Sequence, residues 1–162
     1  MGGKIRFNVA KFGAKVASQV SKFGFGSGNN LPGYVFYKIA GKEALKDLAH
    51  EMSIGPILIT GTNGKTTTTT LLIKLLSTDT KNRKSFESNT IHAITTGILK
   101  GDGDLGVFEY GIRNKSYGIP DTVQRLIDPV GVVYTTISRE HSQVAGVKNP
   151  FEEYVDAKSL LS

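Results

Sequence analysis

The stretch ILITGTNGKTTTTTLLIKLL, residues 57–76, joins a short apolar run to five consecutive threonines through a loop holding two glycines and one lysine. Ile57 to Thr60 has the continuous apolar character of a buried parallel strand. Thr67 to Leu76 reads as the helix that follows, despite the modest helix propensity of threonine. A strand entering a glycine loop that opens a helix can surround a polyphosphate with backbone N–H groups, and the helix N-terminus adds its dipole. In such a loop Lys65 reaches the β- and γ-phosphates and the Thr66 hydroxyl binds Mg2+. The general pattern places four residues between its first glycine and the Gly-Lys pair. Here Ile59 occupies that first position, and only Thr62 and Asn63 lie between Gly61 and Gly64. The loop fails the general spacing, and a surface lysine in an ordinary turn is the plainer alternative.

On the C-terminal side, Leu105 to Phe108 and Gly131 to Ile137 are two more strand candidates, and PDTVQRLID (Pro120 to Asp128) reads as the helix between them. The last helix starts at Asn149 as N-cap, with Pro150 at its first position and Glu152 completing a capping pair. Strand–helix alternation predicts a three-layer α/β fold, a parallel sheet flanked by helices. The sheet is short of strands for such a fold. The chain closes on AKSLLS inside a helix, so it is expected to be the front part of a longer protein.

On the N-terminal side, GKEALKDLAHEM (Gly41 to Met52) reads as a short helix and LPG (Leu31 to Gly33) as a turn entering the body. Residues 1–30 form a basic arm and linker, and residues 31–162 the domain proper. From Gly3 to Phe23 the apolar residues Ile5, Val9, Phe12, Val16, Val20 and Phe23 fall on one face of a helix, interrupted by Gly13 and followed by the flexible GFGSGNN. Seven basic residues precede the first acidic one, Glu43, and the remainder holds 13 basic against 14 acidic residues. The net charge of +6 therefore lies mostly in the arm and not in the body of the domain. Two uses of the arm stay open: its apolar stripe packs on the domain, or it lies on an anionic membrane surface. Nucleic acid is not an expected partner, because the body is nearly neutral.

The absence of cysteine excludes disulfides, thiolate metal sites and cysteine nucleophiles, and agrees with a cytoplasmic location. No apolar run approaches the ~20 residues of a membrane span, and no secretory signal opens the chain.

GTNGKTTTT (residues 61–69), with its two-residue gap, resembles the phosphate loop of the Mur ligase superfamily of ATP-dependent amide-forming enzymes. Three further segments fit that family in order. FEYGIR (residues 108–113) delivers Glu109 at a strand end, where a carboxylate can bind Mg2+. TTISREHSQVAG (residues 135–146) places His141 at the position of a histidine that helps to hold a second Mg2+. FEEYVDAKSLL (residues 151–161) places Lys158 at the position of a lysine that many members carbamylate, which converts it into an anionic metal ligand. ESNT (residues 87–90) places Asn89 near the phosphates. Taken singly, each is an ordinary solvated or structural residue; their ordered co-occurrence behind the loop is the signal. His50 and His92 gain nothing from it.

The resemblance implies a two-step ligation, in which a substrate carboxylate forms an acyl-phosphate with ATP and an amine displaces the phosphate. Gly61, Thr62, Asn63, Gly64, Lys65, Thr66, Thr67 and Asn89 would hold the nucleotide. Thr66 and Glu109 would hold one Mg2+, His141 and carbamylated Lys158 the second, and Lys65, His141 and Lys158 would serve the chemistry. The nearest branches are the archaeal ligases of pseudomurein peptides and the ligase subunit of lipid II isoglutaminyl synthase, although the latter carries Gln where His141 stands. The partners implied are ATP, a peptide-precursor carboxylate and an amino-acid or ammonia acceptor. Location would be the cytoplasm, with the arm at the inner membrane surface. The alternatives are a nucleotide-binding module without ligase chemistry and a folylpolyglutamate or cyanophycin type of ligase. This segment alone is expected to be inactive.

Overall fold

Alternation along the central strands decides the layering. In the computed structural model, which describes residues 2–22, 29–77, 82–116, 119–139 and 148–161, four strands form one sheet. They are β1 (Gly55–Thr60), β2 (Asn82–Ser88), β3 (Leu105–Tyr110) and β4 (Gly131–Tyr134), all parallel, in the order β2-β3-β1-β4. Leu58 of β1 and Phe108 and Tyr110 of β3 face the larger core, while Ile59 and Val107 face the smaller one. Both central strands are buried on both faces, which accounts for their continuous apolar character.

The helices divide accordingly. The helix α4 (Lys65–Leu76) covers the smaller core through Leu72, Ile73 and Leu76. The larger core takes Phe36 from α2 (Leu31–Ala40), Leu45 and Leu48 from α3 (Ala44–Ala49), Ile91, Ile94 and Ile98 from α5 (Ile91–Lys100), Val123 and Leu126 from α6 (Pro120–Ile127), and Ala157 from α7 (Pro150–Ser159). The N-terminal helix α1 (Gly2–Lys22) packs on α2 with Ala10 and Ala14 in the same core. The three-layer α/β expectation is met.

Several local expectations are corrected. Leu31 to Gly33 is no turn but the first turn of α2, where Pro32 leaves no helical hydrogen bond unmade. Gly33 is required by packing. A Cβ there would lie 2.0 Å from the His92 carbonyl oxygen of α5, and the Gly33 N–H donates to Thr96 Oγ1 at 2.9 Å. Gly33→Ala gains about 1 kcal/mol of helix propensity but overpacks a backbone contact, for a net loss of about 2 kcal/mol. Urea unfolding midpoints of the two proteins test this; equal midpoints would contradict the packing role.

The Gly41–Met52 helix shortens to α3, with Met52 buried beyond its end. The helix after the loop begins at Lys65 instead of Thr67. β3 runs on to Tyr110, and β4 stops at Tyr134, after which Thr136 makes an isolated antiparallel bridge with Asn63. Asn149 starts α7, but its side chain donates to Glu152 Oε2 at 2.8 Å and caps no backbone N–H. The threonine run divides its work. Thr69 is buried against the sheet, Thr70 Oγ1 donates back to the Thr66 carbonyl at 2.8 Å, and Thr66 and Thr67 are exposed.

The arm is helical as expected but rotated. Its packed face is Phe7, Ala10, Gly13, Ala14 and Ala17, with Gly13 against Val35 and Ile39 of α2. Ile5, Val9, Phe12, Val16 and Val20 of the predicted stripe point away, with Ile5 at 65% and Phe12 at 70% exposure; Phe23 and most of the GFGSGNN linker lie outside the described residues. Among the described residues no helix is long and apolar enough to cross a membrane.

Candidate functional site

The order β2-β3-β1-β4 reverses direction at β1, and the loops that follow all four strands meet at one sheet edge, where open α/β folds gather ligands. The loop after β1, Gly61 to Gly64, is pinned by the segment after β4. The Thr62 N–H donates to the Thr136 carbonyl at 2.6 Å, and Thr135 Oγ1 donates to the Asn63 carbonyl at 2.7 Å. Gly61 adopts φ +150°, and a Cβ there would lie 1.9 Å from Thr135 Oγ1, so only glycine lets the two segments approach.

Thr62 is buried and ties three elements together. Its Oγ1 accepts from the Ser138 N–H at 2.9 Å and shares a hydrogen bond of 2.9 Å with the Tyr154 hydroxyl of α7. Gly64, in the left-handed region at φ +84°, turns the chain into α4. The first residues of α4 carry the chemistry. Lys65 Nζ donates to the carbonyls of Gly61 and Thr62, at 3.1 and 3.0 Å, and so lies folded over the loop. Thr66 Oγ1 donates to Glu109 Oε2 at 2.8 Å. Glu109 sits near the end of β3 beside Ile59 of β1 and is 4% exposed. A hydroxyl and a carboxylate converging at a helix N-terminus are hard oxygen donors of the kind Mg2+ takes, so these two residues fit that ion.

Lys158 of α7 is 1% exposed. Its ammonium donates to Thr60 Oγ1 at 3.0 Å and to the Ile112 carbonyl at 3.3 Å, and lies 4.5 Å from the centre of the Tyr154 ring. Burial, and secondarily the charge of Lys65, lowers its pKa from 10.5 to about 8. Burial is also what raises the Tyr154 pKa, partly offset by the hydrogen bond to Thr62.

A cavity of ≈ 110 Å³ joins these parts, walled by Gly61, Lys65, Asn89, Ile112, Arg113 and Tyr154. Asn89 follows β2 and reaches the cavity from beside Gly111, where a Cβ would lie 2.1 Å from its Oδ1. Of the residues singled out in the sequence, Gly61, Lys65 and Asn89 thus line one cavity. Lys158 contacts two of its wall residues, and Thr66 and Glu109 pair beside Lys65. Asn63 and Thr67 are exposed, and Asn63 bridges to Thr136 in the segment after β4. His141 lies outside the described residues.

Thr60, Tyr154 and Arg113 were not singled out. Tyr154 had a signal: it stands four residues before Lys158, one helical turn away on the same face. Arg113 closes the FEYGIR segment. Thr60 carried none, since its contact with Lys158 spans 98 positions.

Residues 59–162 match the family model of the Mur ligase middle domain. Over 100 residues the chain is 36% identical to the UDP-N-acetylmuramoyl-tripeptide–D-alanyl-D-alanine ligase of Borreliella burgdorferi, covering 59% of this chain and 21% of that protein. Two crystal structures of MurF from Acinetobacter baumannii share its fold. The first has a TM-score of 0.61 at 18% identity, over 82% of this chain and 27% of that chain. The second has a TM-score of 0.59 at 22% identity, over 75% and 27%. The chain spans about a fifth of the curated relative's length. With the family match covering well over half of the chain, and running through the loop, β3 and α7, the chain belongs to the Mur ligase family through its middle domain.

Proposed function

We propose that this chain supplies the nucleotide-binding and phosphoryl-positioning part of an ATP-dependent carboxylate–amine ligase of cell-wall peptide synthesis. The observation that carries this reading is the pairing of Thr66 with Glu109 beside Lys65, at the mouth of a loop whose N–H groups open a helix. Since the chain spans 21% of its curated relative, the activity is proposed for the polypeptide that joins this segment to the other parts of such an enzyme.

ATP would supply the activated phosphoryl group, and Mg2+ would spread its charge. The loop amides and Lys65 would neutralise the oxygens of the transferring group, after Lys65 Nζ exchanges its two loop carbonyls for phosphate. Thr66 and Glu109 would hold the metal, and Asn89 and Arg113 would orient polar groups in the cavity among the segments that follow β1, β2 and β3. Lys158, buried and in part neutral near pH 8, fits a lysine that adds CO2 through its amine, loses a proton and becomes a carbamate. An ammonium cannot ligate a cation, and a carbamate can. His141 is proposed as its companion ligand on the resemblance alone.

The MurF-type relative is named for joining D-alanyl-D-alanine to a UDP-N-acetylmuramoyl tripeptide. For this chain we infer a peptide-precursor carboxylate and an amine acceptor of the same chemical class, and the archaeal pseudomurein branch on its EYGIR and REHSQ segments. The test is phosphate release from ATP by the complete polypeptide. It should depend on a muropeptide-type carboxylate together with an amine, with D-alanyl-D-alanine and single amino acids compared. Glu109→Gln should slow it by about 100-fold. ATP turnover that ignores both carboxylate and amine, and survives Glu109→Gln, would leave a plain nucleotide-binding module as the better reading.

A further inference from the structure

The residues of α1 fall into three faces at 3.6 per turn. One, of Phe7, Ala10, Ala14 and Ala17, is spent on packing against the domain, and Arg6, itself exposed, donates to the Ile39 carbonyl. A second, of Ile5, Val9, Phe12, Val16 and Val20, is exposed along four turns of helix. The third carries Lys4, Lys11, Lys15 and Lys22 in one row, roughly 120° around the axis from the apolar face, with Asn8 and Gln19 between them. No acidic residue occurs anywhere in the helix. Lys11, Lys15 and Lys22 also wall a groove of ≈ 680 Å³ with Pro32, Leu99 and Lys100, which extends the positive surface onto α2 and α5.

We propose that α1 docks this protein on an anionic lipid surface, with the Ile5–Val20 face inserted among the acyl chains and the lysine row at the level of the phosphates. Charge complementarity selects the occupant. The lysine row meets one carboxylate, Glu51, which pairs with Lys11 at 2.7 Å and leaves Lys4, Lys15 and Lys22 as its outward charges; such a row beside an exposed apolar face suits a fluid anionic layer. A protein partner would need both a groove for the ridge and a matching row of acids. The packed face holds α1 on the domain, so the helix is preformed and no folding entropy is spent on binding, unlike that of a disordered arm. The family match begins at residue 59, so this device lies outside the segment that defines the family, and it stands independently of the ligase reading.

The chain has no tryptophan, so Phe12→Trp gives a single emission reporter on the exposed face. Mixed with vesicles of equal parts phosphatidylglycerol and phosphatidylcholine, this variant should shift its emission to the blue, and the wild type should float with the vesicles. Neither should occur with phosphatidylcholine alone. At about 1 kcal/mol per lysine, the triple variant Lys4→Gln, Lys15→Gln, Lys22→Gln should partition about 100-fold more weakly. The double variant Val9→Ser, Val16→Ser should lose flotation while keeping the wild-type melting temperature, because both positions face outward. Absence of flotation by the wild type would overturn the proposal. So would binding that is unchanged in the valine variant, which marks adsorption by charge alone. A concentration-dependent dimer that the valine variant abolishes, with no vesicle binding, would reassign the face to self-association.

Discussion

Lys65→Ala, introduced into the complete polypeptide, should lower the rate of ATP-dependent ligation by about 1,000-fold while weakening nucleotide binding much less. The asymmetry follows from what holds the loop. Its path is set by Gly61 at φ +150°, by Gly64 at φ +84° and by the Thr62–Thr136 and Thr135–Asn63 hydrogen bonds, none of which uses the lysine side chain. The N–H groups that cradle a polyphosphate therefore survive the substitution. What disappears is the one cation that can leave the carbonyls of Gly61 and Thr62 and follow charge as it moves between oxygens. Lys65→Arg should rescue little, because a planar guanidinium is bulkier than an ammonium and the cavity holds only ≈ 110 Å³. Single-turnover ligation together with equilibrium binding of a fluorescent ATP analogue separates the two effects. A rate loss below about tenfold would remove Lys65 from phosphoryl stabilisation. An equal loss of rate and affinity would make it a binding group only.

The loop was legible because its signals are local. The apolar run of β1, the glycines and the Lys-Thr pair lie within ten residues, and the two-residue gap is itself distinctive. β2 was missed because NRKSFES reads as polar. It is an edge strand in which only Arg83 and Ser88 are buried, so no alternation of apolar residues announces it. α2 was missed because Pro32 and Gly33 look like a turn. The meaning of Gly33 is a carbonyl of α5 that stands 59 positions later in the chain. α5 carries Thr95, Thr96 and Gly97 in its middle, and Gly97 is there because β2 crosses close beside it.

The arm misled for an instructive reason. Periodicity weights bulky apolar residues, and these do form a regular face. Close helix–helix packing instead favours small residues, so α1 meets α2 through Ala10, Gly13, Ala14 and Ala17. In the site, Glu109 and Lys158 could be picked by resemblance. Their surroundings depend on contacts between distant segments, which a single sequence does not display.

Lys158→Met should stabilise the protein by about 1–3 kcal/mol at neutral pH, and should abolish ligation in the complete polypeptide. A buried ammonium with one hydroxyl, one carbonyl and an aromatic face for company is incompletely solvated. A methionine of similar length removes the charge and keeps the packing. The pH dependence separates this from a generic packing gain. The folded-state pKa is about 8 against 10.5 for the ordinary lysine, so between these values the unfolded chain binds the extra proton. Stability then rises with pH in that window, and the gain is lost as pH falls through about 8. Tyr110 and Tyr154, whose pKa values burial raises above the ordinary 10.0, act in the opposite sense at higher pH and close the window from above. Urea unfolding in CO2-free buffer should therefore show the wild type gaining stability on the alkaline side of pH 8, and Lys158→Met flat over the same range. Readmitting bicarbonate should add the mass of one CO2 to the wild type and nothing to the variant. If the two proteins share one pH profile and one stability, Lys158 is not the strained group its burial implies. A stable variant that still ligates would take Lys158 out of the reaction altogether.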